Sequence, residues 1–424
     1  MIQMNKIASS FNGLGISPEL LTVLKRLQFT TPTPIQRQCI PAVLEGKDIV
    51  GIAQTGTGKT LAFGVPMLQL LRQNNGQGLI LLPTRELALQ VNEVLHTLGE
   101  RFGLRTAVLI GGASSHQQLQ AIRHHPHVLV STPGRLIDHL QQKKFNLNKV
   151  KMIVLDEADR MFDIGFAPQI KQILAFAPRD RQTLMFSATM PKAIGDLAVR
   201  FMKMPLRIEV APSGTPAANV EQEVIIASKE VRVQLLDKIL ADNKGTVLIF
   251  SRTKRGAKKI AGLVRDMGHS AVEIHSNRSL AQRRAALAGF KNGQYRIMVA
   301  TEIAARGIDV DDISLVINYD LPDNADDYVH RIGRTGRAGS SGQAISFAAS
   351  NERMAIKQIE RLIKKTITVK DLPVLPPRRP INKFAVKVVD DYAPRQAAGN
   401  GRPYRNWNRG FRKPQSQAPS RKRF

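Results

Sequence analysis

The chain has 424 residues, long enough for two domains of about 150 to 200 residues each plus extensions, and its 43% hydrophobic content supplies real cores, which excludes a wholly disordered protein. Lys and Arg number 62 against 34 Asp and Glu, a formal charge of +28 with a pI near 10.6, so a polyanion is the expected partner: nucleic acid or an anionic membrane. The sequence shows no secretory signal and no apolar run near the roughly 18 residues of a membrane span, and its one cysteine, Cys39, suits a small core residue in a reducing compartment; a cytoplasmic chain without membrane association is expected.

In chain order, residues 1–38 form an N-terminal segment, and a first α/β domain is expected over 39–209. There, apolar runs alternate with longer helix-period segments: IVGIA from Ile49, LILL from Leu79, AVLI from Ala107, VLVS from Val128, MIVL from Met152 and TLMF from Thr183. They read as buried parallel strands. Residues 210–219, rich in Pro, Gly, Ser and Ala, read as a linker. The alternation resumes over 220–375 with TVLIF from Thr246, AVEI from Ala271, RIMVA from Arg296, LVINY from Leu315 and AISFA from Ala344, a second α/β domain. Residues 376–424 carry no periodic apolar face and are expected to be a disordered basic tail, with 13 Lys and Arg against 2 Asp from Pro377 to Phe424. Tyr404, Trp407 and Phe411 interleave with Arg402, Arg405, Arg409 and Arg412, a pattern suited to single-stranded RNA because cations meet phosphates and rings stack on bases.

Two stretches carry chemistry. Ala53, Gln54, Thr55, Gly56, Thr57, Gly58, Lys59 and Thr60, reading AQTGTGKT, come after an expected strand and open an expected helix, the context of a phosphate-binding loop. Glycines let backbone N–H groups turn onto phosphate oxygens, Lys59 can reach the β and γ phosphates, and the Thr60 hydroxyl can ligate Mg²⁺. Ala53 stands where the general pattern has Gly. In MIVLDEADRMFD, Asp156 ends the apolar run at the carboxyl edge of the sheet, where it can anchor Mg²⁺, and Glu157 can polarise the water that attacks the γ phosphate.

DEAD, Asp156 to Asp159, together with the phosphate loop resembles the DEAD-box RNA helicase family. PTRELA at Pro83, GG at Gly111, TPGR at Thr132, SAT at Ser187, VLIFSRTK at Val247, ATEIAARGID at Ala300 and HRIGRTGR at His330 stand in the family's order. From Phe11 to Arg337 the likeness spans roughly four-fifths of the chain. It implies two tandem RecA-like P-loop domains, each a mostly parallel sheet flanked by helices, and an RNA-dependent ATPase that remodels RNA duplexes with ATP and Mg²⁺.

The resemblance also implies roles. FTTPTPIQ, Phe29 to Gln36, looks like the family's adenine-reading motif: the Gln36 amide can donate and accept at once, and Phe11 offers an aromatic surface near the base. Arg334 and Arg337 would be arginine fingers from the second domain, Gly307 and Asp309 would approach the ribose and γ phosphate, and His330 and Arg331 would link nucleotide state to domain contact. Asp159, Ser187 and Thr189 would couple the ATP site to strand separation. Pro83, Thr84, Arg85, Gly112, Thr132, Gly134 and Arg135 would track an RNA backbone, continued by Arg252, Arg283 and Thr301, positioning a strand without reading its sequence.

Four positions depart from the family pattern: Glu302 stands for Asp, Leu280 for Gln, Gln28 for Gly and Ser276 for Gly. Altered coupling is expected from them, with catalysis retained. The compact form with a short basic tail looks most like bacterial helicases of the RhlE-like subgroup, which implies pre-ribosomal particles or RNA-decay complexes as partners and a monomeric core. A DNA helicase and a non-hydrolysing RNA scaffold or annealing chaperone are the alternatives.

Overall fold

Apolar runs of four to six residues, buried at nearly every position, demand strands covered on both faces, and the chain forms two seven-stranded sheets of this kind. The computed structural model describes residues 10–54, 56–74, 76–210, 220–305, 310, 313–336 and 341–377. The first sheet contains β1 (Ile49–Ile52), β2 (Gln77–Leu81), β3 (Thr106–Leu109), β4 (Val128–Ser131), β5 (Val150–Leu155), β6 (Gln182–Ser187) and β7 (Leu206–Glu209), in the order β3-β4-β2-β5-β6-β1-β7. The second contains β8 (Val220–Ile226), β9 (Val247–Phe250), β10 (Ala271–Ile274), β11 (Ile297–Ala300), β12 (Leu315–Asn318), β13 (Gly342–Ala348) and β14 (Thr368–Lys370), in the order β10-β11-β9-β12-β13-β8-β14. Subtracting seven from each label turns the second series into the first. All neighbouring strands pair in parallel.

Each sheet divides two apolar clusters, because successive side chains of a strand point to opposite faces. In the first sheet Ile80, Val130 and Val154 join one cluster, while Leu79, Leu81, Leu129 and Leu155 join the other. Cys39 is fully buried in the first of these, where burial pushes its thiol up to about 12 and keeps it protonated. Each apolar run read from the sequence lies in a strand. β7, β8 and β14 have no counterpart in that reading: β7 and β14 are short and mostly exposed edge strands, and β8 is interrupted by Glu221 and Glu223. The expected linker residues 211–219 and the tail from 378 onward lie outside the described residues. Among the described residues no helix is long and apolar enough to cross a membrane.

Candidate active site

Parallel strands send their carboxyl ends to one edge, so the sheet order sorts the motifs along that edge. β5, β6 and β1 are adjacent, and they end in Asp156 and Glu157, in Ser187 to Thr189, and in the loop from Ala53 to Lys59. β3, β4 and β2 form the neighbouring half and end in Gly111 and Gly112, in Thr132 to Arg135, and in Pro83 to Arg85. One half gathers the residues read from the sequence as nucleotide-binding and the other those read as an RNA track.

In the nucleotide half, the helix Lys59–Asn74 begins at the end of the loop, aiming its free N–H groups at the loop's mouth. Gly58 has φ +87°, and a β-carbon there would strike the Gln36 amide, so glycine is needed for both backbone and packing. Ala53 does not have positive φ; its carbonyl accepts from Lys59 Nζ at 3.0 Å, which is how alanine is tolerated there. Gln36 is buried: Nε2 donates to the Gly58 carbonyl at 3.0 Å and Oε1 accepts from Thr33 N at 2.9 Å, so its amide braces the phosphate loop. Phe11 is only 4% exposed, packed in the first apolar cluster, whereas Phe29 at the head of FTTPTPIQ is 41% exposed. Phe29 is an aromatic surface that the sequence pattern alone does not single out. Gln28 has φ +63°, which explains why glycine is the usual residue there.

The Asp156 carboxylate lies 3.9 Å from Lys59 Nζ, and Oδ1 accepts from Glu157 N at 2.9 Å. Burial raises its carboxyl to about 6, the Lys59 charge opposing and the Glu157 charge adding to the rise. Glu157 sits in the left-handed region at φ 53°, ψ 51°, a strained backbone for glutamate at a position that begins a helix. Its Oε2 accepts from Arg160 Nη1 at 3.2 Å, and Arg160 is 1% exposed. Arg160 was missed in sequence, although its spacing of three residues on a helix was a usable signal.

Asp159 ties this element to the next strand. Its Oδ2 accepts from Ala188 N at 3.0 Å, Thr189 N at 2.9 Å and Thr189 Oγ1 at 3.1 Å, while its own N donates to Ser187 Oγ at 3.2 Å. Charge-assisted bonds of this kind are roughly twice as strong as neutral ones, so the DEAD and SAT segments are firmly joined.

In the other half, Thr84 caps the helix Arg85–Gly99 by accepting from Leu87 N at 3.3 Å, and Thr132 precedes the helix Pro133–Gln141. Two helix N-termini therefore face the same edge. Gly112 has φ +77°, and the Arg85 guanidinium lies where its β-carbon would be. Gly134 has open space around it, and Arg135 Nε is 3.9 Å from Asp138.

The second lobe meets this half directly. Arg283, 9% exposed by side chain, donates from Nη2 to Glu86 Oε2 at 2.7 Å across the two lobes, and Leu280 packs against the first lobe's apolar cluster. Arg283, read from the sequence as part of the RNA track, is paired with Glu86 in this arrangement. Arg252, 45% exposed by side chain, is held by Glu352 and Asp323, both at 3.3 Å, and by the Leu321 carbonyl at 3.1 Å. Thr301 N donates to the Ile274 carbonyl at 3.3 Å at the end of β10.

On the helix Ala325–Ile332, partial burial and then the charge of Asp159 in the first lobe hold the Asp326 carboxyl above its ordinary range. Arg331 is buried, pairs with Glu302, donates to the Asp320 carbonyl at 2.7 Å and lies 5.0 Å from the Phe250 ring centroid. Glu302, which stands where the family has Asp, is thereby placed against Arg331. Arg334 is 2% exposed, and its Nε donates to the His330 carbonyl at 3.2 Å. Thr55, Gly307, Asp309 and Arg337 lie outside the described residues.

Comparison with known proteins agrees with this layout. Residues 33–197 match the DEAD/DEAH box helicase model, and residues 231–339 match the helicase conserved C-terminal domain. The DEAD-box ATP-dependent RNA helicase CshA of Bacillus cereus is 40% identical over 370 residues, 87% of this chain and 70% of that protein. The ATP-dependent rRNA helicase RRP3 of Debaryomyces hansenii is 42% identical over 362 residues, 84% of this chain and 76% of that one. Among solved structures, S. cerevisiae Dbp5 bound to RNA and ADP BeF3 superposes with a TM-score of 0.78 at 30% identity, covering 86% of this chain and 96% of that one. Two duplicated parallel sheets, a phosphate loop beside DEAD and SAT, and relatives of this length and identity together place the chain in the DEAD-box family of ATP-dependent RNA helicases.

Proposed function

We propose that the chain is an RNA-stimulated ATPase that couples ATP hydrolysis to closure of its two lobes and to local unwinding of RNA. The observation that supports this best is the direct tie from Asp159 to Ser187 and Thr189, which joins the carboxylate loop to the end of the adjacent strand β6. Lys59 and the loop N–H groups bind the β and γ phosphates; Gln36 and the exposed Phe29 face the base side, with Phe11 as their core support. Asp156 and Thr60 offer hard oxygens of the type Mg²⁺ prefers, with phosphates and water completing its shell, and the ion when bound neutralises phosphate charge. Glu157, oriented by Arg160, accepts a proton from the attacking water. Arg334 and Arg337 stabilise charge on the transferred group, Gly307 and Asp309 serve the ribose and γ phosphate, and His330 and Arg331 relay closure.

Phosphate contacts at Pro83, Thr84, Arg85, Gly112, Thr132, Gly134, Arg135, Arg252 and Thr301 grip the backbone, with Arg283 serving chiefly the lobe contact. The domain limits that suit this reading are 39–209, a linker over 210–219, 220–375, and a tail from 376 that tethers RNA. The description of the Debaryomyces hansenii relative as an rRNA helicase favours ribosome assembly over RNA decay. A cytoplasmic monomer of the RhlE-like subgroup is the narrower reading. ATP turnover with single-stranded RNA, with DNA of the same sequence and with neither tests the proposal: RNA-selective stimulation supports it, and equal stimulation by DNA overturns the RNA assignment.

A further inference from the structure

The edge of the first sheet opposite the nucleotide holds a cavity of about 660 Å³ that the helicase reaction does not use. It lies where β5, β6, β1 and β7 begin, and these strands span about 13 to 20 Å, so the cavity is remote from Lys59 and Asp156. Lys47, Lys151, Arg181 and Lys203 line it, against the carboxylates of Asp48 and Asp180.

Lys47 also pairs with Glu45 at 2.6 Å, an exposed link of the kind an incoming anion can displace, and the two lining carboxylates do not neutralise the rest. Asp48 is spent on the backbone: its oxygens accept from Thr183 N at 2.8 Å and Lys203 N at 2.7 Å, tying β1 to β6 and to the turn before β7. Asp180 is 92% exposed by side chain and stands 3.8 Å from Lys151 and 3.5 Å from Lys203, a surface link that an incoming anion can displace. Arg181 is different from the lysines. It is 9% exposed, Nη1 donates to the Pro178 carbonyl at 2.5 Å, and its buried Nε has no hydrogen-bond partner among the described residues. A buried cation with an unused donor costs stability unless an anion completes it. Burial disfavours the charged guanidinium, and the Asp48 charge offsets only part of that.

We propose that this cavity is a second phosphate-binding site, distinct from the ATP site, which takes a ligand carrying two or more phosphate charges between Arg181 and the three lysines. Two sources offer that chemistry: a stretch of RNA backbone, or a free polyphosphate such as the phosphate chain of a nucleotide. Met204, 97% exposed on the rim, adds an apolar surface beside the phosphates for a base or ribose.

The test uses the full chain with its ATP site saturated by ADP and Mg²⁺. Tripolyphosphate is titrated into the wild type, into Lys47→Ala/Lys151→Ala/Lys203→Ala, and into a charge-matched control, Arg101→Ala/Lys143→Ala/Lys144→Ala, whose residues lie on the same lobe outside the cavity. The cavity variant should bind tripolyphosphate at least 10-fold more weakly than wild type and control, with unstimulated ATP turnover unchanged. Single-stranded RNA affinity measured against salt separates the sources. A fall in the log–log slope of about 2, for three contacts at roughly 0.7 each, assigns the site to RNA; an unchanged slope with lost tripolyphosphate binding assigns it to a free polyphosphate. Equal behaviour of the cavity variant and the control in both assays overturns the site, because bulk charge then explains everything.

Discussion

The two lobes share one strand order and differ in the residues attached to the ends of corresponding strands. After β1 comes a glycine-rich loop with Lys59; after β8, its counterpart, comes a helix, Arg232–Asp242, that opens with a buried arginine. After β5 comes Asp156, whose carboxylate stands 3.9 Å from Lys59 and accepts a neighbouring N–H. After β12 comes Asp320, whose carboxylate is already filled by Arg232 at 3.3 Å, Arg252 N at 3.0 Å and Ser251 Oγ at 3.3 Å. An arginine in the second lobe thus fills a carboxylate whose first-lobe counterpart is left open. Topology sets where chemistry can happen, and a few loop residues set which lobe performs it.

If that division holds, the largest effect belongs to Arg334, the arginine proposed to act on the transferred group. Arg334→Ala should lower the turnover number about 10³-fold or more while ATP affinity changes only a few-fold; single-turnover hydrolysis with bound RNA measures it. The structural arginine should behave in the opposite way. Arg232→Ala should cost about 2 kcal/mol of stability in denaturant melts, by removing a buried guanidinium from Asp320 and Glu352, which keep Arg252 as a partner, yet leave turnover per folded molecule near wild type.

The open carboxylate carries a stability cost that the filled one does not. Asp156 ionises at about 6 in the folded chain against roughly 3.9 unfolded, so its penalty applies in full above pH 6 and fades as the pH falls toward 4. Asp156→Asn should therefore stabilise the ligand-free protein by on the order of 2 kcal/mol at pH 8, match wild type near pH 4 and lose ATP turnover. No gain at pH 8 would remove the idea that this site is held at a cost.

Smaller effects probe the seam and the strained turn. Leu280→Gln replaces an apolar contact across the lobes and should weaken RNA binding in the presence of a nonhydrolysable ATP analogue by about 10-fold, as expected if roughly half of a leucine's burial is lost on opening. Gln28→Gly relieves a left-handed backbone and should raise stability by at most about 1 kcal/mol, read as a rise in Tm.

The central strands and the phosphate loop were legible because buried parallel strands read as unbroken apolar runs and Gly-Lys-Thr after a strand has few other meanings. β7 and β14 were not, since an exposed edge strand needs no apolar pattern, and β8 hides Glu221 and Glu223 within it. Site positions were legible where one motif holds all partners. Glu86 escaped because its partner is chosen by packing, a residue 197 positions away, whereas the local spacing of Arg160 from Glu157 was a readable signal. The commitment of the Gln36 amide to Gly58 and Thr33 likewise depends on how a helix start meets the phosphate loop, which the sequence does not display.

Closure of the two lobes as the step that completes the ATP site is the central claim. Cys39 is buried with a raised thiol pKa, so dyes can be placed selectively on Val199→Cys in the first lobe and Met354→Cys in the second, at positions 84% and 67% exposed. Interlobe energy transfer and ATP hydrolysis are then measured together, with ATP alone, RNA alone and both. The account predicts that the near state dominates only with both ligands, that hydrolysis tracks its population, and that Arg334→Ala still closes but does not hydrolyse. Full-rate hydrolysis while the lobes stay apart would contradict it.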